Sequence, residues 1–208
     1  MNINVGEILT RRARRDPRAE GVVDWASGRR FTWAQFNERA NRAGNLLARL
    51  GVGKGDRVGV LAKNGPEFME TFFGCSKLGI VVVPLNWRLV PDELEFILAD
   101  SGAVALVYDD DFLDTAADLQ ARGDATRLAH FVQIGNRPLH GFARRYDDLL
   151  EEASGAEPLI VATDDDLLHI MYTSGTTGLP KGVLVRHRNV AMMPNGAPAW
   201  SGAGWLHG

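Results

Sequence analysis

Two hydrophobic periods take turns along this chain, and their alternation restricts the fold more than any single motif. Ile80-Val81-Val82-Val83-Pro84-Leu85 is a continuous apolar run of the kind that forms a strand buried on both faces. Phe36, Ala40, Ala43, Leu46, Leu47 and Leu50 instead recur at helical spacing. Strands are expected at 56–61, 80–85, 103–108 and 130–134, with helices between them opening near Thr32, Pro66, Pro91, Phe112 and Tyr146. Helices between strands imply an α/β fold with a largely parallel sheet and right-handed crossovers. No period of 20 to 50 residues repeats, which excludes a solenoid.

Local chemistry fixes several boundaries. Thr32 with Gln35 three residues later reads as a capping box, and Gly51 as the residue that ends that helix. Asn64 or Gly65 caps the next helix, with Pro66 at its first turn. Its Phe68, Met69, Phe72, Phe73 and Cys75 are expected to form the core-facing stripe, which makes Cys75 a buried, inert thiol. Val5, Ile8, Leu9 and Ala13 mark an N-terminal helix whose arginines face solvent, and 154–163 reads as a surface linker.

Composition then removes whole classes of function. A chain of 208 residues can bury about 70% of its unfolded surface without disulfides or a structural metal. The formal charge of −3 shows no basic excess, which argues against nucleic acid or an anionic membrane as the main partner. The lone Cys75 excludes an internal disulfide framework and fits a reducing, cytoplasmic setting. No apolar run approaches the roughly 18 residues of a spanning helix. Glu7, Asp16 and Pro17 argue against reading the Arg-rich N-terminus as a transit peptide.

The segment with chemistry is the strand-like Leu167-Leu168-His169-Ile170-Met171-Tyr172, followed by Thr173-Ser174-Gly175-Thr176-Thr177-Gly178-Leu179-Pro180-Lys181 and a second strand-like run. Glycines let backbone N–H groups turn toward one point, four hydroxyls add donors and one ammonium adds a point charge, a combination suited to phosphate oxygens. Four lysines against nineteen arginines favour a specific use for Lys181. Composition alone leaves an ordinary turn open, because plain turns draw on the same residues. Walker A fails, since Pro180 precedes Lys181 and Gly182 follows it. The dinucleotide fingerprint fails at Gly51-Val52-Gly53-Lys54-Gly55-Asp56, which has Asp at the third Gly and follows a helix. Gly74-Cys75-Ser76-Lys77-Leu78 is not a nucleophile elbow.

The string from Tyr172 to Val183 resembles the phosphate-binding signature of the adenylate-forming superfamily, which includes acyl-CoA synthetases and aryl-CoA ligases. Phe31-Thr32-Trp33, Gly55-Asp56-Arg57-Val58 and Ser76-Lys77-Leu78-Gly79 through Val83-Pro84-Leu85-Asn86 resemble further blocks of that family in its order, and Asn86-Trp87-Arg88-Leu89 is typical of its acyl-CoA and aryl-CoA ligase branch. The resemblance implies a ligase that uses ATP and Mg2+ to activate a small-molecule carboxylic acid, fatty or aromatic, as an acyl-adenylate and pass it to a thiol, usually that of CoA. It places Thr173, Ser174, Gly175, Thr176, Thr177, Gly178 and Lys181 on the ATP phosphates, with no metal ligand and no certain catalytic residue among these 208 positions. Residues 1–193 would then be a partial N-terminal AMP-binding domain, 194–208 an irregular tail, and the C-terminal domain would be absent. On that reading the isolated chain is inactive; a noncatalytic phosphate-binding module and a nonfunctional truncated product remain open.

Other tempting residues receive bland expectations. Asp164-Asp165-Asp166 point in different directions and do not read as a metal site. His169 is expected to pack rather than act as a base, and His187 to serve as a structural cap. Trp87 and Arg88 are expected to brace the loop or pack between sheets. Oligomeric state and the identity of the acid are not legible.

Overall fold

Alternating strands and helices close into one sheet covered on both faces. The computed structural model describes residues 4–159, 161–173 and 179–191. Its elements run α1 (Val5–Arg15), β1 (Glu20–Val23), β2 (Arg30–Thr32), α2 (Trp33–Arg49), β3 (Arg57–Leu61), α3 (Pro66–Leu78), β4 (Val81–Pro84) and α4 (Pro91–Ser101). They continue as β5 (Ala105–Asp109), α5 (Leu113–Ala121), β6 (His130–Ile134), β7 (Ala143–Arg145), α6 (Tyr146–Glu152), β8 (Leu167–Thr173), β9 (Lys181–Arg186) and α7 (His187–Ala191).

Among the described residues the main sheet is ordered β7-β6-β5-β3-β4-β8-β9, parallel throughout except for β9, which runs antiparallel to β8 at the edge. The apolar runs are continuous because successive side chains feed two cores. Val58, Val60, Val82, Ala105, Val107 and Val132 pack with Leu46 and Leu47 of α2, Cys75 of α3 and Leu149 of α6. Leu61, Val81, Val83, Leu106 and Tyr108 pack with Leu94, Ile97 and Leu98 of α4 and Leu119 of α5. The hairpin β1–β2 forms a separate antiparallel pair, and neither it nor β7 was expected. These strands are three or four residues long and partly exposed, so they carry too few apolar positions for a period to show.

The caps behave as read. Thr32 Oγ1 accepts from Gln35 N–H while Gln35 Oε1 accepts from Thr32 N–H, and Gly51 takes a positive φ of 85° after α2. The buried surface of α3 is wider than its apolar stripe. Phe68, Met69, Phe72 and Phe73 are partly buried and pack against the core around Cys75, while Glu67, Glu70, Thr71, Gly74 and Lys77 are buried as well. The reason is that the polar side of α3 meets α2. Glu70, with no exposed surface, accepts from Arg39 Nε at 2.5 Å and from the Tyr146 hydroxyl at 3.1 Å. Burial raises the Glu70 carboxyl above its ordinary pKa, opposed by the Arg39 guanidinium. Cys75 is fully buried, and desolvation pushes its thiol pKa up.

Lys77 is the second polar residue that the helical period hid. Its side chain is 0% exposed, yet its three N–H donors meet three acceptors: Asn37 Oδ1 at 2.7 Å, Asn41 Oδ1 at 2.5 Å and Glu157 Oε1 at 2.7 Å. Glu157 also accepts from Asn37, Asn41 and Thr10. Burial draws the lysine pKa down, offset by Glu157; burial also raises the Glu157 carboxyl, but hydrogen bonds from Lys77, Thr10 and Asn37 outweigh it and hold it below its ordinary value. The two groups stand 2.7 Å apart as each other's counter-charge. Segment 154–163 is thus pinned through Glu157 to α1, α2 and α3 and is not simply a surface linker.

Two stability predictions follow from this packing. A Cβ on Gly74 would sit 2.5 Å from both Ala40 O and Gly44 N, backbone atoms that cannot swing aside, so Gly74→Ala should cost about 2 kcal/mol in urea unfolding; an unchanged midpoint would show that α2 and α3 do not cross this closely. Glu157→Gln leaves a fully buried ammonium without its counter-charge, while Lys77→Met leaves a carboxylate that is 25% exposed and can reach water. The first should therefore destabilise by about 3 kcal/mol and the second by clearly less, an order that equilibrium unfolding of both variants checks.

Candidate phosphate-binding neck

The strands β8 and β9 form the two sides of the Thr/Ser/Gly segment. Their antiparallel register sets Tyr172 opposite Gly182 and Thr173 opposite Lys181, so these two pairs form its neck. Thr173 and Lys181 are both exposed. Ser174, Gly175, Thr176, Thr177 and Gly178 lie outside the described residues, as does the stretch 194–208 expected to be irregular. Three of the four lysines are engaged in ion pairs: Lys54 with Asp166, Lys63 with Asp111 and Lys77 with Glu157. Lys181 forms no ion pair with any described side chain. An exposed ammonium set opposite a threonine across the strand pair is available to an anion.

Several side chains fix this strand pair to the body. β8 runs parallel to β4, with Val82 opposite His169, and antiparallel to β9 over six partner pairs. Tyr172 donates its hydroxyl to Asp100 Oδ2 in the last turn of α4 at 2.6 Å, and its ring lies against Gly182 of β9. Burial first, and then the Asp100 carboxylate, raise the Tyr172 phenol pKa. At the other end of the pair, Asp166 Oδ2 accepts from Thr163 N–H at 2.7 Å and pairs with Lys54 at 2.7 Å. Asp165 pairs with Arg188. Asp165 and Asp166 are thus engaged in structural contacts, and no group of three or more His, Cys, Asp or Glu side chains converges on a metal-sized site among the described residues.

The two histidines are structural in different ways. His169 packs beside Phe72, with ring centroids 6.1 Å apart, and burial lowers its pKa. His187 is completely buried, and its Nδ1 accepts from Val5 N–H at 3.0 Å. It caps the first turn of α1, a helix 182 residues away in sequence, rather than its own. That role had no local signal. The Trp87 and Arg88 expectation is corrected: Trp87 is 40% exposed, with the Arg88 guanidinium 4.3 Å above its ring and the Lys63 ammonium 5.8 Å away, so it lies on the surface and not between sheets. An open depression of about 470 Å³ between α2 and α6, lined by Phe31, Gln35, Arg39, Arg42 and Leu150, contains no residue of the neck. Sequence reading also missed Asp100. Its one signal was an acid at the C-terminal end of a helix, the unfavourable end for a negative charge.

Comparison with known proteins gives a consistent pattern. The family described as AMP-binding enzyme matches residues 9–201. The long-chain-fatty-acid–CoA ligase FadD13 of Mycobacterium tuberculosis is 40% identical over 187 residues, covering 90% of this chain and 36% of that protein. A feruloyl-CoA synthase of Amycolatopsis is 38% identical, covering 91% of this chain and 34% of its own length. Among solved structures, the inhibitor-bound N-terminal domain of FACL13 from M. tuberculosis superposes with a TM-score of 0.82 at 38% identity, over 92% of this chain and 46% of that one. The anthranilate CoA ligase AuaEII, solved with anthranoyl-AMP, gives 0.83 at 32% identity, over 91% of this chain and 36% of that one. The chain therefore spans about a third of the length of the curated relatives it matches.

The buried His187 also predicts a pH response. Burial, with the nearby His169 and Lys54 and against Asp166, lowers its pKa to about 4 from an ordinary 6.5. A group whose folded pKa is depressed contributes nothing above the unfolded value, because neither state is protonated there. As pH falls from 6.5 toward 4, the unfolded chain takes up the proton and the folded one does not, so stability should fall by up to about 3 kcal/mol. Urea midpoints measured across that window should drop less steeply in His187→Asn; equal slopes would show that His187 is not held neutral by the fold.

Proposed function

The chain belongs to the AMP-binding enzyme family, and from that premise we propose that it supplies the phosphate-holding part of an ATP-dependent acyl- or aryl-CoA ligase. In the reaction proposed, a carboxylate oxygen bonds to the α-phosphorus of ATP, the bond to the bridging oxygen breaks and pyrophosphate leaves. The sulfur of CoA then bonds to the acyl carbon, AMP departs and the thiol proton is released. A bare carboxylate is a poor acyl donor because its leaving group would be oxide, and adenylation replaces that with AMP. The first step depends mainly on positioning and on neutralising charge along the triphosphate.

The observation that carries this reading is the Lys181 ammonium, exposed at the neck and without an ion-pair partner among the described residues. Lys181 would meet the oxygens of the β- and γ-phosphates and balance the charge of departing pyrophosphate, with Thr173 donating its hydroxyl beside it. Ser174, Gly175, Thr176, Thr177 and Gly178 would complete the cradle. Magnesium would arrive with the nucleotide as part of the substrate. Because the chain matches about a third of its relatives' length, we assign selection of the acid and binding of CoA to groups beyond this shared portion, and expect the 208 residues alone to hold phosphate without making thioester.

Calorimetric titration with Mg-ATP tests the site: Lys181→Ala should weaken binding by about tenfold to a hundredfold, the value of a charge-assisted contact. A folded variant that binds as well as the parent would remove Lys181 from the phosphates. Incubation with Mg-ATP, CoA and a panel of fatty and aromatic acids should yield no AMP or thioester, and turnover lost in Lys181→Ala would refute the assignment of the remaining steps elsewhere.

A further inference from the structure

A loop that holds phosphate works only if its two ends are held at a fixed separation and pitch, since a displacement of about 1 Å is enough to spoil a positioned contact. Here the ends are Thr173 and Lys181, carried by a strand pair whose outer member, β9, is the exposed edge of the sheet. One residue further in, Tyr172 and Gly182 form the next cross-strand pair, and this is where the pair meets α4. We infer that Tyr172 and Asp100 form a clamp that sets the position of the neck, and hence of Lys181, relative to the body of the domain. The inference rests on the phosphate-site reading of the neck given above.

Three independent features support it. The Tyr172 hydroxyl lies 2.6 Å from Asp100 Oδ2, the length of a hydrogen bond to a charged oxygen, and it joins residues 72 apart in sequence. Asp100 is in the last turn of α4, whose closing carbonyls at Ser101 and Gly102 accept from the Arg57 guanidinium of β3 at 2.7 and 2.9 Å, so the acceptor of the phenol sits on a helix end that is itself fixed to the sheet. The position opposite Tyr172 is glycine, and a Cβ there would meet the ring at 3.1 Å and Ile170 Cγ2 at 2.9 Å. The ring thus occupies the space over Gly182, next to Lys181 in the chain, and its far end is tied to α4. Tyr172 and Asp100 are positioning residues: neither reaches the phosphates, and both act through Lys181 and Thr173.

The test uses the whole 208-residue chain and inorganic tripolyphosphate with magnesium as the probe, titrated by calorimetry, with urea midpoints confirming that each variant is folded. Tyr172→Phe removes only the hydroxyl, and Asp100→Ala only the acceptor; each should weaken binding about fivefold, the scale of one hydrogen bond. Asp100→Asn keeps an acceptor oxygen and should bind nearly as the parent does. The double variant Tyr172→Phe with Asp100→Ala should be no weaker than either single one, because both remove the same link. A general loss of stability would not produce this combination of rescue and non-additivity. Parent-like binding in Tyr172→Phe, while Lys181→Ala still abolishes it, overturns the clamp and leaves the phosphate site standing. Failure of the parent chain to bind, or indifference to Lys181→Ala, overturns the phosphate-site reading and the clamp with it.

Discussion

An ammonium taken out of water must be given back its hydrogen bonds and its counter-charge, and Lys77 obliges much of this structure to do so. Its three donors are met by Asn37 and Asn41 of α2 and by Glu157. Glu157 in turn is held by Thr10 of α1. One side chain therefore ties three helices to the segment that leads into β8. The companion contact, in which Glu70 is held by Arg39 and Tyr146, joins α2 and α3 to α6 in the same way. Between them α2 and α3 approach so closely at Gly44 and Gly74 that backbone meets backbone. Fully satisfied polar networks of this kind fix a unique arrangement, and partly satisfied ones would be costly.

The strand pair β8–β9 stands differently. Its edge strand is largely exposed, whereas β8 buries Leu168 and Ile170. Three side-chain anchors add to that packing: Tyr172 on Asp100, Asp166 on Lys54, and His187 on the first turn of α1. Such a construction leaves the neck open to solvent while keeping its orientation defined. It also leaves one lysine without a described ion-pair partner beside the hydroxyl of Thr173. Anion binding there requires no rearrangement of the core.

Particular residues show why part of this was legible and part was not. The caps at Thr32, Gly65 and Gly51 involve neighbours within a few residues, so spacing revealed them. The Thr/Ser/Gly segment stood out because its residues are contiguous, and the strands on either side of it stand where the apolar runs put them; residues 174–178 lie outside the described residues. In α3, by contrast, the apolar stripe showed only part of the buried surface. Periodicity assigns charged residues to solvent and cannot register that Arg39 and Glu157, distant in sequence, neutralise Glu70 and Lys77. For Trp87, packing between sheets was one of two expectations, and the structure instead puts it at the surface with the cations of Arg88 and Lys63 over its ring.

By itself the sequence determined the α/β class and the order and bounds of most elements, because these follow from backbone periodicity and capping geometry. Only the tertiary structure decided which polar residues are buried, what His187 caps, and how the two ends of the loop are held. Those depend on hydrogen bonds and charge pairs between residues 31 to 182 positions apart, whose energies come from desolvation and exist only once the chain has brought both partners out of water.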